Sequence, residues 1–314
     1  MGRHKEGVDS FGSERASVFS LASYATIHGF HPLGFCLVIA LHLAVIAAPW
    51  YVDWRAIFAA IVLFILTGEL GINVGYHRLL AHSSFRPPRW LKRTFAALGS
   101  LSLQGGPITW VSMHRFHHRE SDGALDPHTP SVSFLWAEFL WVFFDHPNFL
   151  DLKSKISFAR DLNRDPVIRF IERWHAASNL LLFAILAIVG ASLDGTRGAI
   201  AWVIWAGAVR IVAIWHLTFI VNAVNHLWGY RNYKTNDNSR NNLWISILVC
   251  FGEGWHNNHH AVPRSAAHGH RWFEFDLAFL TILILEKIGL AKNVQRPPRF
   301  PYPENFSPKG GVYP

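Results

Sequence analysis

Charge is scarce in this chain: Asp, Glu, Lys and Arg make up 16% of its 314 residues, against 51% hydrophobic residues. A soluble domain carries about 25% charged residues, so that reading is strained and a membrane-embedded one is favoured. Cysteine is nearly absent, and both copies, Cys36 and Cys250, lie in apolar stretches. Nothing therefore suggests a disulfide or a thiolate metal site. No signal peptide is expected either, because the first apolar run starts too far from Met1 and lacks a small-residue cleavage pattern. Gly2 is followed by Glu6 where myristoylation wants Ser or Thr, so no lipid anchor is expected.

The apolar residues are blocked into long runs. Leu33 to Trp50 and Ala176 to Leu193 hold no residue charged at neutral pH. Each approaches the roughly 20 residues needed to cross about 30 Å of hydrocarbon. Trp54 to His77 and Ala199 to His226 are longer, with one interior charge each, Glu69 and Arg210. This pattern predicts an all-α integral membrane protein with four transmembrane helices in two hairpins, at about residues 33–52, 54–77, 176–193 and 199–225. A helical cap of residues 78–175 and 226–290 completes one domain over 21–290, between a disordered tail 1–20 and an irregular tail 291–314. An ion pair between Glu69 and Arg210 is expected from their similar depth. The connections near Tyr51 to Arg55 and Leu193 to Gly198 carry only Arg55 and Arg197, so most of the 29 Lys and Arg fall on the other side. The positive-inside rule puts that side in the cytoplasm. The net charge of +8 needs only that bias and anionic lipid headgroups, and no nucleic acid.

Nine histidines fall into four groups: His77 and His82 in HRLLAH, His114, His117 and His118 in HRFHH, His226 in NAVNH, and His256, His259 and His260 in HNNHH. A helix from Trp54 reaches His77 after about 35 Å and one from Ala199 reaches His226 after about 40 Å, both beyond the hydrocarbon. All four groups therefore converge on the cap side. In HRFHH and HNNHH the histidines stand at i, i+3 and i+4, an arc of roughly 100° from which three imidazoles face one volume. His77 and His82 are five apart, so sharing a metal requires the helix to bend or end between them. Nine imidazoles are too many for one ion, and over two they leave each with four or five ligands and room for an exogenous one. That fits a non-haem di-iron centre better than structural zinc. Asp126 and Glu253 are expected to orient ligand imidazoles. His4, His28, His31, His42, His128, His146, His175, His216, His268 and His270 lack box spacing and are left out. Ser131 to Phe144, aromatic and too short to span, is placed in the interface with part of Phe95 to Pro107.

Such a site at a membrane face has access to acyl chains. Breaking an unactivated methylene C–H bond is beyond general acid–base catalysis and needs a metal–oxygen oxidant. Desaturation or hydroxylation of a lipid chain is the implied reaction class, with a histidine-rich metal transporter as the non-enzymatic rival.

HRLLAH, HRFHH and GEGWHNNHH, with QGGPITW before the second box and VNAVNHLWGYRNY before the third, resemble the membrane-bound delta-9 fatty acyl desaturases, especially their bacterial and cyanobacterial branch. The resemblance runs from about Gly34 to Lys287. It implies a stem of four helices under a cytoplasmic cap holding two iron ions (Fe2+/Fe3+). O2 and two electrons from a separate donor of ferredoxin or cytochrome b5 type then form a cis double bond; a related alkane or sterol hydroxylase is the alternative. By the same resemblance the nine histidines are iron ligands and Asn222 approaches one iron through water. It also implies that Gln104, Trp110 and Thr218 bend the substrate tunnel. Basic residues that hold CoA phosphates in the animal enzymes are replaced by Ser112, Phe144 and Asp145, which favours a membrane lipid as substrate, with an acyl-thioester on CoA or a carrier protein as the alternative.

Overall fold

The computed structural model describes residues 29–149, 151–248 and 251–297. Residues 1–20, Cys250 and the tail beyond 297, for which expectations are given above, lie outside them. A short strand β1 (Gly29–Phe30) leads into α1 (Pro32–Ala47), whose N-terminal turn is capped by His31 accepting from the Gly34 amide at 3.1 Å. After a tight turn, α2 (Trp54–Ala81) starts at Asp53, whose carboxylate accepts from the Arg55 amide.

Short helices follow: α3 (Arg89–Ser100), α4 (Pro107–Glu120) and α5 (Phe134–Glu138). Strand β2 (Phe144–Asp145) pairs antiparallel with β1, Phe30 opposite Phe144. Beyond α6 (Leu152–Phe158) and α7 (Arg160–Asn163), one long helical stretch runs Pro166–Val224. It breaks at Asp194 and Gly195, which is left-handed at φ 52°. The break yields α8 (166–193) and α9 (196–224). They fold back so closely that a Cβ on Gly190 would lie 2.3 Å from the Gly198 carbonyl, which only glycine tolerates. The chain continues through α10 (Leu243–Leu248), α11 (His256–Ala261) and α12 (Leu277–Lys287).

Three stretches are long and apolar enough to cross a membrane: Pro32–Tyr51, Trp54–Ala81 and Pro166–Val224. Their outward faces are apolar and uncovered, with Leu33, Leu43, Phe58, Ile61, Leu180 and Ile188 all exposed. A continuous apolar exterior of this extent is stable in lipid and not in water. The molecule is a membrane protein. Exposed tryptophans stand at the turn between the first two stretches, Trp50 and Trp54, and outside the apolar stretches at Trp90, Trp228, Trp244 and Trp272.

The largest buried cluster lies where the end of α2 (Ile72, Tyr76, Leu80) meets α3 (Leu91, Phe95) and α4 (Ile108, Val111). The expected Glu69–Arg210 pair does not form. Arg210 donates to the Thr67 hydroxyl at 2.9 Å and to the Leu101 carbonyl at the end of α3 at 2.8 Å, while Glu69 accepts from Asn73 at 2.9 Å. The frayed carbonyls of α3 offer the guanidinium acceptors in place of a carboxylate.

Candidate metal centre

Two polar anchors set the helix that carries the second histidine group. Glu172 of α8 accepts from the amides of Ile108 and Thr109 at 2.7 and 3.2 Å and from the Thr109 hydroxyl at 2.6 Å, so a carboxylate sits on the positive end of α4. A Cβ at Gly106 would lie 2.3 Å from that carboxylate, which is why glycine stands there. At the other end, Arg115 donates to the carbonyls of Leu80 and Ala81 at 2.8 and 3.0 Å and pairs with Asp161 at 2.8 Å. The end of α2 is thereby clamped to α4.

From Ile65 to Ala81 the hydrogen bonding of α2 widens to the i→i+5 pattern of a π-helix, and the His82 amide donates to the His77 carbonyl at 3.2 Å. Five-residue spacing, awkward on an α-helix, then returns almost to the same face. His77 and His82 consequently join one group. The structure sorts the nine imidazoles into two sets whose ligand atoms lie within 4.8 Å of one another and which could each hold a metal ion. One set is His77, His82, His114, His118 and His259; the other is His117, His226, His256 and His260. The three histidines of a box do not face one volume, contrary to the sequence reading. The i and i+4 members, His114 and His118, join the first set and the i+3 member, His117, the second; in the third box His256 and His260 join the second set and His259 the first. The 100° arc spans two histidine sets rather than one, and interleaving brings His118 and His260 to 4.3 Å between ring centres.

The donor atoms fit metal binding. His77, His117, His226 and His260 each turn Nδ1 to a carboxylate, of Glu253, Asp126, Asp122 and Asp237, at 2.7, 2.9, 3.0 and 2.8 Å. The Nδ1 hydrogen is fixed there, so each Nε2 presents a lone pair. Yet the Nε2 atoms of His226 and His260 lie 3.1 and 3.0 Å from that of His256, and the His117 Nε2 is buried without a hydrogen-bond partner. Lone pairs gathered so closely in a dry site call for a cation between them. In the larger set, Nε2 contacts of 2.7–3.0 Å run His82–His114–His118–His259–His77.

Electrostatics agree. Burial, then neighbouring imidazoles, hold His82, His114, His118, His256 and His259 well below the usual histidine range. Burial would raise Asp126, but His117 holds it far down; Glu253 is likewise kept low against burial by His268 and Arg78. These shifts set a pH dependence. Buried neutral histidines bind fewer protons than their unfolded counterparts, so stability is lost as pH falls below about 6.5. The lowered carboxylates add a further loss below about 4. The melting temperature of metal-free protein is expected to drop between pH 7.5 and 5; a flat profile in differential scanning fluorimetry contradicts the burial of these rings.

Two apolar cavities meet beside the first set. The larger, about 290 Å³, is lined by Leu37 and Val38 of α1, Trp141, Phe144, Trp215 and Phe219. The smaller, about 70 Å³, lies between Phe64, Gly68 and Ile72 of α2 and Ile214, Leu217 and Val221 of α9. Trp110, His114, Thr218 and Asn222 line both. A hydrogen-bonded chain holds this junction: Trp110 Nε1 donates to Gln104 Oε1 at 3.0 Å, and Gln104 Nε2 to the Thr218 hydroxyl at 3.1 Å. Trp110 also stacks on His114, 5.0 Å between centres.

A family model described as fatty acid desaturase matches residues 48–282. The chain belongs to the fatty acid desaturase family. It is 40% identical over 258 residues to an sn-2 palmitoyl-lipid 9-desaturase of Nostoc sp., covering 82% of this chain and 87% of that one. It is 39% identical to an sn-1 stearoyl-lipid 9-desaturase of Anabaena variabilis, over 82% and 91% of the two chains. An icosanoyl-CoA 5-desaturase of Limnanthes douglasii is 37% identical, over 83% and 71%. The protein is thus an oxidoreductase acting on fatty acyl chains, and a metal-transport reading is set aside.

Several residues of this desaturase escape a search by spacing. Asp122 and Asp237 sit in loops, and only the imidazoles they meet reveal them. His128 and His268 lack box spacing, yet His128 lies 4.4 Å from the His117 ring and His268 4.4 Å from that of His259. Ser112 is fully buried, its hydroxyl 2.6 Å from the Ile108 carbonyl and 2.5 Å from that of Lys155, so it joins α4 to α6. Asp145 is exposed at the end of β2.

Proposed function

We propose that this desaturase introduces a cis double bond, at carbon 9, into a long saturated chain carried on a membrane lipid. The observation that carries the reading is the junction of two apolar cavities against imidazoles grouped as five and four. Two irons bound by these histidines, with Asn222 beside them, supply with O2 the oxidant that an unactivated methylene requires. The chain's own residues do the rest. The larger cavity takes the carboxyl-end portion of the acyl chain and the smaller its methyl end. The Gln104–Trp110–Thr218 chain turns the alkyl chain at the junction, which selects the carbons that face the histidines and favours a bent, cis product. The apolar walls keep water from the oxidant.

Four spans in two hairpins, 32–51, 54–81, 166–193 and 196–224, agree with the lengths and with the break at Gly195. The basic cap then faces the cytoplasm of a bacterial inner membrane, where a separate ferredoxin or cytochrome b5 type donor delivers electrons. A lipid carrier is favoured by the names of the cyanobacterial relatives. The buried Ser112 and the exposed carboxylate of Asp145 also stand where the animal enzymes carry basic residues for the CoA phosphates. Expression in a host without monounsaturated lipids, with the double bond located by mass spectrometry, tests this reading; an alcohol product, or turnover on stearoyl-CoA but not on glycerolipid, overturns it.

The small cavity sets chain length. A Cβ on Gly68 would already lie 3.3 Å from Ile214. Gly68→Leu is expected to shift preference to substrates about two to four carbons shorter, since each methylene in an apolar pocket is worth roughly 1–3 kcal/mol of discrimination. Product profiles from mixed-chain lipid pools check it.

A further inference from the structure

A third cavity, about 740 Å³ and polar, shares no lining residue with the two apolar ones. His82 of the five-histidine set lies in its wall, 2% exposed, and the next residue, Ser83, is exposed. Three separate segments bring cations to its lining: Arg86 after α2, Lys92 on α3 and Arg264 after α11. Asp161 is the one acidic group lining it, and Arg115 engages both its oxygens at 2.8 and 3.0 Å. Among the described residues Arg86 and Arg264 are exposed and enter no ion pair.

The rim is also rigid. Arg86 and Lys292 exchange backbone hydrogen bonds of 2.8 and 2.9 Å, and the Gln295 amide donates to Ser84 at 2.8 Å. On the side of the four-histidine set, His260, 9% exposed, lies behind the Asp237 carboxylate.

Desaturation balances as R–CH2–CH2–R′ + O2 + 2 electrons + 2 H+ giving R–CH=CH–R′ + 2 H2O. The substrate supplies two electrons and two protons, so two further electrons enter from outside. We propose that the cationic cavity over His82 is the docking site of a small acidic one-electron carrier protein, and that electrons enter through His82. The placement rests on the reading of a di-iron desaturase with an external donor. Cationic rims steer and orient an acidic partner, and a ligand imidazole one residue from the exposed backbone shortens the path to the metal.

The test uses the full chain in nanodiscs of zwitterionic lipid. The binding probe is an acidic plant-type ferredoxin whose iron–sulfur cluster is replaced by gallium, so that it docks without transferring electrons. Wild type is expected to bind it more weakly as salt rises and to ignore basic cytochrome c. Arg86→Glu with Arg264→Glu is expected to weaken ferredoxin binding about tenfold or more. The same variant, reduced with dithionite, should match wild type in single-turnover desaturation, which shows the fold intact. Unchanged ferredoxin affinity in the variant, or none in wild type, overturns the proposal. So does loss of binding to phosphatidylglycerol vesicles with ferredoxin affinity kept, which would make the patch a lipid site. Weakened docking in the variant together with no alkene from dithionite-reduced wild type supports the docking site and rejects the desaturase reading.

Discussion

His118→Ala is expected to abolish desaturation and to lower iron from about two per chain to about one. His118 bridges the larger set, with its Nε2 3.0 Å from His114 and 2.9 Å from His259. Its ring also stacks on His260 of the other set. Removing it leaves four imidazoles on one side without their central member and opens a gap at the boundary between the sets. The second set keeps all four of its histidines and their carboxylates, so one ion should persist. Inductively coupled plasma mass spectrometry on purified protein decides the matter. One tightly bound zinc and no iron in the unmutated protein would sink the di-iron reading, and two irons retained in the variant would sink the assignment of His118.

That experiment turns on a partition the sequence does not display. The boxes are legible because i, i+3, i+4 spacing is local, and span lengths lead to the expectation that they converge, as the two histidine sets do. Which histidine serves which set depends on two things spacing cannot carry. One is the widened hydrogen bonding of 65–81, a cooperative property of the packed end of α2, which brings His77 and His82 together. The other is where α4 and α11 lie in the folded chain, which puts the i+3 member of each box in the opposite set from its i and i+4 neighbours. Asp126 and Glu253 could be suspected because they stand close to boxes in sequence. Asp122 meets His226 across 104 residues, and Asp237 reaches His260 from a loop without periodicity. The Glu69–Arg210 expectation failed for a related reason: equal depth in two helices says nothing about which other acceptors, here Thr67 and the end of α3, lie nearer.

The carboxylates make the two sets unequal, and the second large effect follows from that. Among the described residues, three imidazoles of the four-histidine set pair with carboxylates, His117 with Asp126, His226 with Asp122 and His260 with Asp237, and in the five-histidine set His77 pairs with Glu253. A carboxylate partner makes an imidazole a better ligand, and its loss typically costs 10- to 100-fold in metal affinity. The fifth imidazole of the larger set offsets this only in part, because it includes His82, which lies at the end of α2 in the wall of the third cavity. Chelation is therefore expected to proceed in two phases, the five-histidine ion leaving first. Asp237→Asn should accelerate the slow phase by roughly 10- to 100-fold and leave the fast one nearly unchanged, because the amide still fills the loop but no longer charges the His260 ring. Timed metal analysis during chelation, with Mössbauer spectra of the ion that remains, reads both phases. A single phase in the unmutated protein, or an effect of Asp237→Asn confined to the fast phase, would contradict the inequality of the two sets.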